Sequence, residues 1–346
     1  MSGDKHPMLM KPEEMASWDE YVLNNPYAIA WQLSSWSGLV EKHFGSRFYP
    51  IAVKRNGAVA GVLPLYWIKP LVGGGRMISV PHAVAGGILA DDPEARRELL
   101  EEGIQTASRE GIGGITLKQY KIRVEGELTT DDQFFNRELD LTGGSEELWS
   151  RISEHNREQV ERTDSQALTL VHPLQDQRKF YRFLVRFQKR RGVPCVSEKW
   201  VRDLVDLGLY SIAALVGNGR IVAATMVKEF KKTVSFPFTC SMAVDDVSYN
   251  LVYRLYWELM KKYSEQGFEI CHSGRIPVTE QVESYRLGWG GERYPYFYQH
   301  YPKTAGQPTE FQRKRNWKRD LVSKGWKYLP SPIARFAGPV VVRQFP

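Results

Sequence analysis

The sequence predicts an α/β protein of the α+β kind, built from two copies of one module. Three observations carry that expectation: a hairpin signature recurs about 160 residues apart, an amphipathic helix follows each hairpin, and a short apolar run follows each helix. In the first copy Phe48–Val53 leads through Asn56-Gly57 into Ala58–Leu63; in the second Leu209–Ala214 leads through Asn218-Gly219 into Arg220–Thr225. Asn-Gly is favoured in two-residue hairpin turns because both central positions take positive φ. A further extended run follows each hairpin, Met77–Pro81 and Thr233–Thr239. The spacing then predicts a helix over Pro93–Arg109, with Leu99, Leu100, Ile104 and Ala107 on one face. Its counterpart covers Tyr249–Glu265, with Leu251, Leu255, Leu259 and Met260. Each helix delivers a strand, Ile115–Lys118 and Phe268–Cys271, which fits a mostly antiparallel sheet with one helical crossover per copy.

At 346 residues the chain exceeds what one hydrophobic core usually supports. The expected division is 1–144, 145–301 and a tail over 302–346 packed on domain one. Thr142-Gly143-Gly144-Ser145 marks the boundary as a loop, and helices are predicted at once beyond it, over Ser145–Thr163 and Gln177–Arg191. Gly192 before Pro194 stops the second, and Lys189, Arg190 and Arg191 in its last turn suit the helix dipole.

An apolar content of 42% and a charged content of 25% are those of an ordinary globular protein. No run of about 18 apolar residues is present, and Met1–Lys11 lacks the apolar centre of a signal peptide, so the expected location is the cytoplasm. Cys195, Cys240 and Cys271 are too few and too scattered for a disulfide framework or a paired zinc site, so no metal is expected. Charge is unevenly placed: residues 302–346 carry ten Lys and Arg against two acidic residues, a net of +8, and the rest of the chain carries −1. A neutral body argues against a broad nucleic-acid face and against DNA as a partner; attraction to a polyanion or a lipid surface falls to the tail.

Chemistry gathers between Gly267 and Tyr301. The strand Phe268–Cys271 ends in His272-Ser273-Gly274-Arg275, and ligands bind outside the carboxyl ends of such strands. Arg275, and Arg286 after Tyr285, are guanidinium groups suited to an oxyanion or a phosphate. His82, after Ser79-Val80-Pro81, has the pKa range of a general base, although a loop histidine is more often simply packed. Gly73-Gly74-Gly75-Arg76 lacks the Lys-Ser/Thr ending of a phosphate loop. Tyr294, Tyr296, Phe297, Tyr298 and Tyr301 have the spacing of a strand rather than of a stacking platform.

The duplicated unit resembles the GNAT acyltransferase fold. The order of particular residues resembles the FemAB family of tandem GNAT-like proteins, most closely those associated with exosortase/PEP-CTERM systems. The matching residues are Trp36, Phe44-Gly45, Gly57, Gly61–Leu65, Ser79-Val80-Pro81, Gly86-Gly87 and Asp91–Ala95 in the first copy. In the second they are Arg190–Pro194, Asn250, Gly274-Arg275, Tyr285 and Trp289-Gly290, with Trp326–Pro330 and Gly338-Pro339 in the tail. The resemblance implies two tandem GNAT-like (acyl-CoA N-acyltransferase-like) domains with a C-terminal helical tail. It also implies transfer of an acyl or aminoacyl group from an activated ester, aminoacyl-tRNA or acyl-CoA, to an amine. The acceptor would be a cell-envelope or exopolysaccharide precursor, nucleotide-sugar or lipid-linked, and no resident cofactor is implied. On this reading Arg286 stands where the family has a lysine and serves the oxyanion, with His82 as general base. Arg275 holds a phosphate, and Ser273, Ser79, Tyr285 and Asn250 contact substrate. The chain departs from the family in having His272-Ser273 for Asp-Phe and an acidic rather than basic Ser153–Glu158 stretch. Neither copy has the Gln/Arg-x-x-Gly-x-Gly/Ala loop that binds coenzyme A pyrophosphate. The alternative is a catalytically inactive double-GNAT module that binds a precursor or a partner enzyme.

In the tail, Ser331-Pro332 is an N-cap and first-turn pair, and Ile333, Phe336, Ala337, Val340 and Val341 share one helical face. That face packs on domain one or, with Trp317 and Trp326 among the basic residues, makes a short peripheral contact with an anionic membrane. Pro339 predicts an interruption of this helix.

Overall fold

The computed structural model describes residues 7–68, 75–242, 246–278, 288–302 and 317–343. Contacts divide the chain into one unit of residues 1–134, 295–313 and 343–346, and a second of residues 135–294 and 314–342.

In the first unit, helices α1 (Met15–Asn24) and α2 (Ser34–Phe44) precede a hairpin of β2 (Arg47–Arg55) and β3 (Ala58–Ile68), with β1 (Met8–Leu9) added along β2. Asn56 (φ 52°) and Gly57 (φ 83°) form the turn with the double positive φ that the sequence predicts. β4 (Arg76–Ser79) pairs antiparallel with β3 and parallel with β6 (Ile115–Tyr120), while β5 (Leu89–Ala90) lies on another part of β3. The parallel pair is joined through α3 (Pro93–Arg109), started by Asp92, whose Oδ1 accepts the Ala95 N–H at 2.8 Å, and by Pro93 in the first turn. Leu99, Leu100 and Ala107 of α3 bury against Leu63, Leu65 and Ile115.

The second unit repeats the scheme. β8 (Leu168–Val171), α6 (Gln177–Arg190) and α7 (Glu198–Asp206) lead to the hairpin of β9 (Tyr210–Gly217) and β10 (Arg220–Phe230). Its turn has Asn218 at φ 50° and Gly219 at φ 70°. β11 (Thr233–Ser235) then pairs in parallel with β13 (Ile270–His272) through α8 (Asp246–Glu265), and β12 (Cys240–Ser241) pairs with β10. Leu255, Leu259, Met260 and Tyr263 of α8 pack on Leu139, Val227, Val234 and Cys271, one face of this sheet.

Several features differ from the sequence reading. The helix predicted over 145–163 is two, α4 (Gly144–Arg151) and α5 (Glu154–Glu161), because Ile152 is extended and Ser153 caps a new start, its Oγ accepting the Asn156 N–H. A strand that was not predicted, β7 (Thr129–Asp140), runs through the boundary, as does β15 (Glu292–Tyr301), so the division falls at 134/135 and again at 294/295 rather than at 144/145. β14 (Ile276–Pro277) follows β13.

The tail forms α9 (Trp317–Tyr328) and α10 (Ser331–Val342), which belong with the second unit and correct the expected docking on domain one. α10 approaches the α6–α7 connection so closely that a Cβ on Gly338 would stand 2.5 Å from the Cys195 carbonyl oxygen. Arg335 pairs with Glu198 and lies over the Tyr181 ring, 5.5 Å from its centre. Pro339 lies inside the helix and does not interrupt it.

Two histidines make the fold acid-sensitive. His172 Nδ1 accepts from the Lys262 ammonium at 2.8 Å, so the ring proton resides on Nε2 and is donated to Ser211 Oγ at 2.7 Å. Burial, and then Lys262, push its pKa down to about 4; burial, and then Lys118, push His82 in the first unit down to about 3. Both values lie below the free value of 6.5, so on acidification the unfolded chain binds protons first. Stability is expected to be complete above about 6.5 and to fall as pH drops toward 4 and then 3, read as the urea midpoint against pH. His172→Gln is expected to flatten the upper part of that fall.

Candidate functional site

Register places a row of polar side chains on the second unit's sheet, on the face opposite α8. Lys228 of β10 is opposite Tyr210 of β9 and Ser235 of β11; Ser235 is opposite His272 of β13; His272 is opposite Glu138 of β7. Paired residues point to the same side, and the sequence neighbours Val227, Val234, Cys271 and Leu139 all enter the α8 core, so the row occupies the other face.

At one end of the row the geometry is tightly defined. Asn136, fully buried, accepts the Gly274 backbone N–H on Oδ1 at 3.0 Å, which fixes its amide orientation because a backbone N–H can only donate. Its Nδ2 therefore donates to His272 Nδ1 at 2.7 Å. His272 is then the neutral tautomer with its proton on Nε2. Glu138 Oε1 lies 3.9 Å from Nδ1. Ser273 Oγ accepts the Arg137 N–H at 2.8 Å, and the Arg137 guanidinium donates to the carbonyl of Gly291 at 2.8 Å, tying the loop after β13 to β7.

At the other end of the row Lys228 is 8% exposed, and burial pushes its pKa down to about 7. A lysine so held is neutral for a large part of its time near neutral pH and can accept a proton. The thiols offer no nucleophile: Cys271 and Cys195 are each pushed up to about 12, and Cys240 well above its usual value, chiefly by burial. Among the described residues no group of His, Cys, Asp and Glu could hold a metal ion.

On α5, Asn156 is fully buried with neither amide atom hydrogen-bonded among the described residues. It lies against Gly288, where a Cβ would be within 2.5 Å of Ser153 Oγ. The next residue, Trp289, packs between Tyr253 and Tyr256.

The residues expected from the sequence fall in different places. Ser273 and Arg275 stand together after β13, Ser273 half-buried and Arg275 exposed, and Asn250 is half-buried on α8. Arg286 and Tyr285 lie outside the described residues. Ser79 belongs to the first unit and is fully buried, its Oγ accepting the Lys118 N–H at 2.8 Å and so linking β4 to β6. His82 stacks on Phe44 with ring centres 3.5 Å apart, and burial depresses its pKa, which makes it a weak base. Asn136, Glu138 and Lys228 were not expected. The available signals were a lone lysine in the apolar strand Met226–Phe230, and Phe135, Leu139 and Leu141 sharing one face of a polar stretch.

No protein-family model and no curated protein matches the chain. Solved structures do. The crystal structure of FemX is 12% identical with a TM-score of 0.68, over 85% of this chain and 96% of that one. The structure of L-PGS from Bacillus licheniformis is 13% identical with a TM-score of 0.58, over 91% and 97%. A tandem GNAT protein from the clavulanic acid biosynthesis pathway is 10% identical with a TM-score of 0.51, over 85% and 97%. Two modules with matching Asn-Gly hairpins and parallel strand pairs crossed by a helix, together with these likenesses over most of each chain, give this chain the FemAB-like tandem GNAT fold.

Proposed function

We propose that the chain transfers an acyl or aminoacyl group from an activated ester, aminoacyl-tRNA or acyl-CoA, to an amine of a cell-envelope or exopolysaccharide precursor. The observation that carries this reading is the row Lys228, Ser235, His272, Glu138 on a GNAT-like sheet, ending at Ser273-Gly274-Arg275. In aminolysis the amine nitrogen attacks the carbonyl carbon, a C–N bond forms, the C–O bond of an aminoacyl ester or the C–S bond of an acyl-CoA thioester breaks, the nitrogen loses a proton, and the leaving oxygen or sulfur takes one up. An acceptor that arrives as an ammonium must lose one proton beforehand. Lys228, with its lowered pKa, suits proton removal, and the neutral His272 suits donation of Nε2–H to the developing oxyanion. Arg275 supplies fixed charge for a phosphate of donor or acceptor. The fold shared with FemX and L-PGS supports the aminoacyl side of the reading by analogy.

By its match to the family's lysine, Arg286 is a further oxyanion donor in this proposal. Arg286→Ala is expected to lower kcat about 100-fold with a much smaller change in KM, and Arg286→Lys to recover part of the loss. The reading itself is tested by thermal shift with aminoacyl-tRNA, acyl-CoA and UDP-sugar, followed by mass analysis of the acceptor. Binding with no transferred group favours the inactive binding module instead.

A further inference from the structure

The tail helix α10 is built inside out. The residues it turns toward the second unit are small: Ala334 is buried, and Gly338 lies against the Cys195 backbone. The large apolar residues point away, with Ile333 51%, Phe336 81% and Val340 60% exposed, and Tyr328 at the end of α9 is 87% exposed. Positions 333, 336 and 340 fall within one stripe of a helix. An amphipathic helix that served only to cover its own domain would bury that stripe. Here close backbone approach docks α10 and leaves the stripe unburied by the described residues.

The charge around the stripe indicates what covers it. Lys324, Lys327, Arg335 and Arg343 are all exposed, and α9 and α10 contain one acidic residue, Asp320. Exposed aromatic and aliphatic side chains in a segment rich in exposed cations, of which Arg335 also pairs with Glu198, match the boundary of an anionic bilayer, where apolar groups enter the acyl region and Lys and Arg meet the headgroups. No described helix is long and apolar enough to cross a membrane, so the contact is with one surface. We propose that the face of α10 formed by Ile333, Phe336 and Val340, with Tyr328 and the flanking cations, seats the protein on an anionic lipid surface. The contact is short, about two turns, and therefore reversible. The inference is independent of the transfer chemistry.

The test is flotation of the full chain with vesicles of phosphatidylcholine alone and with 40% phosphatidylglycerol added, roughly a strongly anionic surface. The expected result is flotation with the anionic vesicles only, weakened by raising salt. Ile333→Ser/Phe336→Ser, at exposed positions, is expected to reduce the bound fraction at least tenfold, and Lys324→Gln/Lys327→Gln to reduce binding and its salt dependence together, with melting temperatures unchanged. Three results overturn the proposal: no flotation of the wild type at low salt, equal flotation of the serine variant, or a lipid-free dimer that Phe336→Ser dissolves, which assigns the face to a second copy.

Discussion

Lys228→Met is expected to abolish most transfer while making the fold more stable. A lysine that is buried in a sheet is disfavoured in its charged form, and the fold holds that form at a cost that the unfolded chain does not bear. Because its pKa is lowered to about 7, this cost is relieved as pH rises through 7 and toward the free value of 10.5. Methionine fills a similar volume without a charge, so thermal midpoint should rise at pH 7 and its increase with pH between 7 and 10 should shrink. Loss of a proton acceptor lowers kcat/KM about 10²–10⁴-fold. Gain of stability with loss of rate is the signature of a group retained for chemistry. A fall in stability with no change in rate assigns Lys228 to structure alone.

Asn136→Asp acts at the other end of the row. The new carboxylate still accepts the Gly274 N–H, but it cannot donate to His272 Nδ1, so the ring must carry its proton there. The neutral ring then loses the Nε2–H that the proposed oxyanion contact needs, only the protonated ring still offers it, and the new carboxylate moves that protonation to higher pH. The rate at neutral pH is expected to fall about 10²–10⁴-fold, in line with a wrong-tautomer effect, and the acid limb of the pH profile to move upward. Asn136→Ala is expected to destabilise by about 1–3 kcal/mol, because the Gly274 N–H is left unpaired. A pH profile unmoved by the aspartate excludes Asn136 as a positioning residue.

Local chemistry made the fold legible. Asn56-Gly57 and Asn218-Gly219 force the hairpins, Asp92-Pro93 starts α3 at its predicted residue, and the apolar spacing of α3 and α8 marks their buried faces. β7 was hidden because Thr-Thr-Asp-Asp-Gln is a poor strand signature, and the pairing that orders its far end, Glu138–Asp140 with β13, is long-range and invisible to local propensity. The unit boundary was hidden with it. Of the site, Ser273 and Arg275 were legible as a strand end, whereas Asn136, Glu138 and Lys228 come together only through long-range register. Ser79 and His82 illustrate the converse: a hydroxyl and an imidazole in a loop context look available, whereas Ser79 accepts the Lys118 N–H and His82 stacks on Phe44.

The most direct measurement is mass analysis of amine acceptors incubated with the full chain and each donor class, between about pH 6 and 9 where Lys228 changes charge. The expected product is an acceptor heavier by one acyl or aminoacyl group, formed from one donor class and nearly absent with Lys228→Met. Donor binding without any acylated amine across that range, or product formed equally by the Lys228→Met chain, contradicts the assignment of transfer to this sheet.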